Sequence, residues 1–113
     1  MPRQLKFAAT APHAVQAAAA AIGQRIRVAR KRRRLTLRDA AAHAGIAYDT
    51  ARAVEQGNLM TGLGAYLALV WAFGLEAELA TFLDPDRDEE GKQLELTRLP
   101  QRVRQRRPSD DDF

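Results

Sequence analysis

The sequence predicts an all-α fold, and three observations carry that prediction. From Val15 the apolar positions recur at helical spacing, as Val15, Ala18, Ala19, Ile22, Ile26 and Ala29. Further on, Gly45, Gly57, Gly74 and Pro85 cut the chain into short segments of helical length. Alanine supplies much of the 46% hydrophobic content, and alanine is the strongest helix former. A chain of 113 residues supports one small domain with appendages rather than two full domains.

The expected layout is an arm over residues 1–13, a helical domain over 14–83 and a charged tail over 84–113. Residues 1–12 lack a sustained period and contain Pro2 and Pro12, which reads as a mobile arm. The first helix follows, with Gln24, Arg27 and Lys31 opposite its apolar stripe. It ends in "KRRRL", where basic side chains favour the negative end of the helix dipole. Thr36 can cap a second helix, with Asp39 at capping-box spacing. That helix, "LRDAAAHA", is short and is broken by Gly45. Small residues at 40, 41 and 44 let two helices cross closely through a short turn.

The third helix runs from about Tyr48 to Gln56, and Gly57 closes it as a left-handed residue. The fourth, about Gly62 to Phe73, is apolar on most faces, which predicts burial on more than one side in a core or a dimer interface. Tyr66 and Trp71 belong to that pattern and read as core or interface rather than as base-stacking platforms. Gly74 stops this helix. A brief fifth helix carries Leu75, Leu79, Phe82 and Leu83 and ends at Pro85. Beyond it, Leu94, Leu96 and Leu99 support one short ordered segment, and the remainder is too charged to fold on its own.

Charge is unevenly divided. The net charge is +4, and residues 22–83 hold nine basic and five acidic side chains. Residues 84–113 hold seven basic and nine acidic ones. The helical middle is therefore the basic part, with nucleic acid as its natural partner. With no cysteine and only His13 and His43, disulfides, thiolate zinc sites and a cysteine nucleophile are excluded. The chain offers no nucleophile–base set and no phosphate-cradling glycine loop, so neither an enzyme nor a cofactor is expected. The N-terminus resembles a weak export signal, but Pro12, His13 and Gln16 interrupt its apolar run. The longest apolar run, residues 63–75, is too short to span a bilayer. A cytoplasmic, nucleoid-associated protein without a membrane partner is expected.

Three short sequence words occur in a telling order: Ile26-Arg27-x-x-Arg30, Ala41-x-x-Ala44-Gly45-Ile46 and Val54-Glu55-x-Gly57. Together they resemble the lambda-repressor-like helix-turn-helix family, the XRE or Cro/repressor type, over residues 22–83. The resemblance implies a five-helix DNA-binding domain with a structural ion pair between Arg30 and Glu55. It also implies that the third helix enters the major groove while the start of the second lies on the DNA backbone. The family's contact positions fall on Leu37, Tyr48, Asp49 and Ala53. These are commonly polar amides in relatives, and none is an amide here. Ala47 stands where a Ser or Thr cap is usual, a loss of about 1 kcal/mol of helix stability.

The residues present retain usable chemistry. Asp49 can accept from a cytosine amine, or it serves only as an acid in the first helical turn. Ala53 can pack on a thymine methyl, and Tyr48 and Thr50 offer hydroxyls. Arg52 and Gln56 can reach a guanine or a phosphate. Arg32, Arg33, Arg34 and Arg38 lie near the start of helix two, as phosphate contacts or as a solvated basic face. Relatives often place glycine at position 34, where a left-handed arginine is mildly strained. One recognition helix reads few base pairs, so a homodimer on operator half-sites is implied.

The segments Asp84-Pro85-x-x-Asp88-Glu89-x-Gly91 and Arg98-Leu99-Pro100-x-Arg102-Val103-Arg104 resemble the tails of HipB-type antitoxins. That resemblance implies an autorepressor that binds double-stranded operator DNA and holds a HipA-like kinase toxin. Arg98, Leu99, Arg102, Arg104 and Phe113 are then the partner-binding residues. Alternatively "RVRQRR" is a second DNA arm, and Phe113 is either an apolar plug or a loose end. Three functions stay open: a repressor that is also an antitoxin, a free-standing repressor, and an interaction module that grips DNA without sequence preference.

Overall fold

The computed structural model describes residues 10–98, and all its regular elements are helical. They are α1 (His13–Arg32), α2 (Leu37–Ala44), α3 (Tyr48–Glu55) and α4 (Leu63–Ala72), followed by 3-10 turns at Glu76–Thr81 and Pro85–Arg87 and by α5 (Glu89–Arg98). Most of the expected arm, residues 1–9, lies outside the described residues, as do Leu99, Arg102, Arg104 and Phe113. The chain divides into two units, residues 1–79 and 80–113.

In the first unit α2 packs on α3 and α4, while α1 packs on α3. The core consists of Ile26, Ala29, Ala40, Ala41, Ala51, Val54, Leu69 and Phe73. Leu69 and Val54 are the largest fully buried side chains. With so many methyl groups in the core, backbones must come close for it to close. Gly23 shows how close: a Cβ there would sit 2.5 Å from the Val54 carbonyl oxygen and 2.7 Å from that of Glu55. α1 therefore crosses the last turn of α3 at a position that admits only glycine.

Four helices end in the same way. At Arg34, Gly45, Gly57 and Gly74 the backbone turns left-handed, with φ of 57°, 73°, 72° and 74°. After each, the next amide donates back to a carbonyl five residues earlier: Leu35 to Arg30, Ile46 to Ala41, Asn58 to Ala53 and Leu75 to Val70. This pattern satisfies the orphan carbonyls of a helix end. Leu35, Ile46 and Leu75 then pack against the core, so three of the four turns both stop a helix and bury an apolar anchor, while the turn at Gly57 leads into the exposed Asn58.

The structure differs from the sequence expectations at three points. First, Val15 and Ile22 on the α1 stripe are 40% and 44% exposed. α3 has only eight residues, and only Gly23, Ile26 and Ala29 of α1 are buried. The same helix begins at His13, and the Gln16 side-chain amide donates to the Ala11 carbonyl at 2.9 Å. Ala11 is buried, so this end of the expected arm is tied down. Second, the segment read as a fifth helix is a 3-10 turn at Glu76–Thr81, with Phe82 and Leu83 exposed. Between Gly74 and Pro85 there is too little length, and too little burial, to support a stable α-helix.

Third, the second unit contains a full helix where one short ordered segment was expected. Asp84 accepts from the Asp86 amide and Pro85 opens the 3-10 turn. The Asp88 carboxylate then accepts from the Gly91 amide at 2.9 Å, capping α5. Glu89 and Glu90 fill the first turn of α5 and Arg98 the last, matching the helix dipole. α5 buries no residue, so local capping and charge order hold it. Among the described residues, no helix is long and apolar enough to cross a membrane.

The α1–α3 crossing predicts opposite outcomes for two glycines. Gly23→Ala forces backbone atoms apart and is expected to cost about 1–3 kcal/mol in urea unfolding. A Cβ on Gly64, in α4, meets nothing within 4 Å, so Gly64→Ala is expected to stabilise by about 0.5 kcal/mol. An unchanged midpoint for Gly23→Ala would mean that α1 and α3 do not meet there.

Candidate nucleic-acid interface

One arginine organises the exposed end of the first unit. Arg30, near the end of α1, donates from Nε to Glu55 Oε2 at 2.7 Å and from Nη2 to Glu55 Oε1 at 3.1 Å. Its Nη1 donates to the Leu35 carbonyl at 2.8 Å. The two side chains are only 12% and 8% exposed. The guanidinium fork thus binds the last residue of α3 and the segment leading into α2 simultaneously. The hydrogen bond to Glu55 raises the Arg30 pKa against the opposing effect of burial, so this charge is permanent. The ion pair implied by the family resemblance is present, as a bidentate contact.

α2 starts at a well-formed cap, with Thr36 Oγ1 accepting from the Asp39 amide at 3.0 Å. α3 starts without one. Ala47 precedes it and supplies no side-chain hydrogen bond, and Asp49 is the acid in its first turn. α3 turns Ala51 and Val54 inward and leaves Tyr48, Asp49, Arg52 and Gln56 exposed. Their spacing of three and four residues places Asp49, Arg52 and Gln56 along one face.

The other sequence-predicted contact residues divide into groups. Leu37, Thr50 and Ala53 are half-buried, and Leu37 packs against the core, so it offers an edge rather than a free side chain. Arg32, Arg34 and Arg38 are exposed. Arg33 is partly engaged: its Nη1 donates to the Ala29 carbonyl at 2.9 Å and its guanidinium carbon lies 5.6 Å from the Phe73 ring centroid. Arg34 holds its left-handed conformation at φ 57°, a strained setting for a residue with a Cβ. Arg98 closes α5 in the second unit.

The sequence reading missed the partner of Arg38. Its guanidinium carbon stands 4.7 Å from the centroid of the Tyr48 ring, within cation–π range. The two residues are ten positions apart, so no helical spacing signals the contact, which forms only once α2 and α3 pack on each other across the turn at Gly45. Asn58 was also missed. Its side chain accepts from the Met60 amide, and its carbonyl accepts from the Tyr66 hydroxyl at 3.1 Å. Together these bonds secure the loop between α3 and α4.

The exposed side chains at the end of α1, the start of α2 and along α3 are thus guanidinium donors with the Asp39 and Asp49 carboxylates, the Gln56 amide and the Tyr48 phenol among them. Such a set can grip phosphates and read base edges. Among the described residues no group of three His, Cys, Asp or Glu side chains could hold a metal ion. No family model, curated protein or solved structure matches the chain.

The Arg30–Glu55 geometry predicts a large effect from a single truncation. Glu55→Ala leaves a nearly buried guanidinium without its counter-charge and is expected to cost about 3 kcal/mol in thermal or urea unfolding. Arg30→Lys retains the charge but loses the planar fork, and its cost is expected to be smaller. A loss under about 1 kcal/mol for Glu55→Ala would mark the pair as an ordinary solvated one.

Proposed function

We propose that this chain is a non-enzymatic, helix-turn-helix DNA-binding regulator of the lambda-repressor-like type, with α3 as the helix that enters the major groove. The observation that carries this reading is the clamp of Arg30 on Glu55 and Leu35. It fixes α3 against α1 and the start of α2 while leaving Tyr48, Asp49, Arg52 and Gln56 facing outward. The side chains of Arg32 and Arg34, at the end of α1, are exposed and have no hydrogen-bonding or ionic partner among the described residues, as a phosphate grip requires.

In this reading the protein acts in the cytoplasm, on the nucleoid, as a homodimer. Leu63, Leu67 and Trp71 recur every four residues along α4 and are 67%, 38% and 61% exposed. A stripe of that kind supports the interface side of the two possibilities left open for Trp71. The chain would repress its own operon and, through its C-terminal segment, hold a HipA-like kinase toxin. The support for that last role is the tail resemblance alone. A kinase-like protein retained through purification is the outcome expected for it, and a chain that purifies alone removes it.

The deciding experiment is a fluorescence-anisotropy titration of the full chain at low and moderate salt. One duplex comes from upstream of its own coding region and the other is a scrambled control. Tighter binding to the upstream duplex that persists at moderate salt is expected. Equal binding that vanishes with salt would replace sequence reading by a purely electrostatic grip. Arg34→Gly provides an internal check. It relieves the left-handed strain and is expected to stabilise the fold by about 1 kcal/mol. The same change removes one phosphate contact and should flatten the log–log salt slope by about 0.9.

A further inference from the structure

We propose that Arg38 and Tyr48 act as one unit, a pre-oriented pair that reads a guanine edge in duplex DNA. The inference rests on the DNA-binding reading above and deepens it by assigning specificity to a residue whose charge alone marks it as a phosphate contact.

The geometry separates Arg38 from the other arginines of this surface. The side chains of Arg32 and Arg34 have no ring beneath them and no partner among the described residues. Arg33 lies against the Phe73 ring, but one of its nitrogens is already bonded to the Ala29 carbonyl. Only Arg38 is both stacked, at 4.7 Å over Tyr48, and without a hydrogen-bond acceptor among the described residues. With its guanidinium carbon over the Tyr48 ring, Arg38 is held at one side by the ring, and its side-chain N–H groups have no acceptor among the described residues.

A guanidinium edge fits two acceptors in a bidentate manner: a phosphate, or the O6 and N7 atoms of guanine. The two make different demands. A phosphate accepts from a freely swinging arginine, and Arg32 and Arg34 supply that. A guanine edge lies in a fixed plane and rewards a guanidinium whose plane is already set, because less side-chain freedom is lost on binding. Arg38 is the second residue of the capped helix α2, and Tyr48 is the first residue of α3, whose far end is tied to Arg30. Tyr48 is 38% exposed, so its ring supports the arginine and still borders the surface beside Asp49.

The test begins by enriching duplexes from a random pool with the full chain, then measures affinity for an enriched site and for a scrambled duplex. Arg38→Lys keeps the charge and loses the planar fork. It is expected to weaken binding to the enriched site by about 10- to 100-fold, with little change on the scrambled duplex. Replacing one particular guanine by 7-deazaguanine, which lacks N7, should weaken the wild type and leave Arg38→Lys unaffected. Tyr48→Phe keeps the ring and should retain the preference, whereas Tyr48→Leu should lose it. Equal weakening of both duplexes by Arg38→Lys would make Arg38 a phosphate contact and overturn the proposal. So would an enriched site insensitive to 7-deazaguanine. A pool that yields no enrichment would overturn the DNA-reading function itself, and with it this inference.

Discussion

The arrangement of the first unit depends on the fork of Arg30. Its three donors hold two points far apart in sequence: the Glu55 carboxylate at the end of α3 and the Leu35 carbonyl just before α2. Burying a charge is costly, and the cost is offset only where the counter-charge and the remaining donors are well placed. Both conditions hold here, and no buried side-chain polar atom among the described residues lacks a partner. The fork fixes the outward face of α3 against the basic end of α1. A lysine could supply the charge but not the shape.

The clamp works because the surrounding helices approach closely. Gly23 admits the last turn of α3, and Gly57, left-handed at φ 72°, sits where a Cβ would press on the Ala20 backbone. Ala40, Ala41 and Ala51 line the other contacts. Such a core gains little from each side chain, since a methyl group buries little area. Stability then leans on Leu69, Val54 and Phe73, on Leu35, Ile46 and Leu75 anchored after three of the left-handed turns, and on the ion pair. A domain of this size has little stability to spare.

Much of this was legible in the sequence. Thr36 with Asp39 announced the start of α2, and Gly45, Gly57 and Gly74 announced three helix ends, because capping and left-handed turns are local chemistry. The Arg30–Glu55 contact followed from the resemblance of three short sequence words to a known frame. What escaped depends on distance along the chain. The Arg38–Tyr48 stack and the Gly23 contact arise only once helices cross, and no spacing rule encodes a crossing. The α1 stripe misled because helical periodicity shows which residues share a face, not how far a partner helix extends along it. α5 was legible only in part: Leu94, Leu96 and Leu99 marked one short ordered segment, but the charge pattern around it read as a tail, although Asp88 ahead of two acids and Arg98 at the far end are local capping signals of the same kind as Thr36.

The central claim is that the starts of α2 and α3, with the basic end of α1, form a face for duplex DNA. The most direct measurement is a residue-resolved map of backbone amide shifts in the full chain, titrated with a duplex of upstream sequence. The account predicts that the shifts concentrate at residues 32–38 and 48–56. Shifts confined to α4 or to residues 89–98, with 48–56 silent, would contradict it. They would place the working surface of this protein elsewhere.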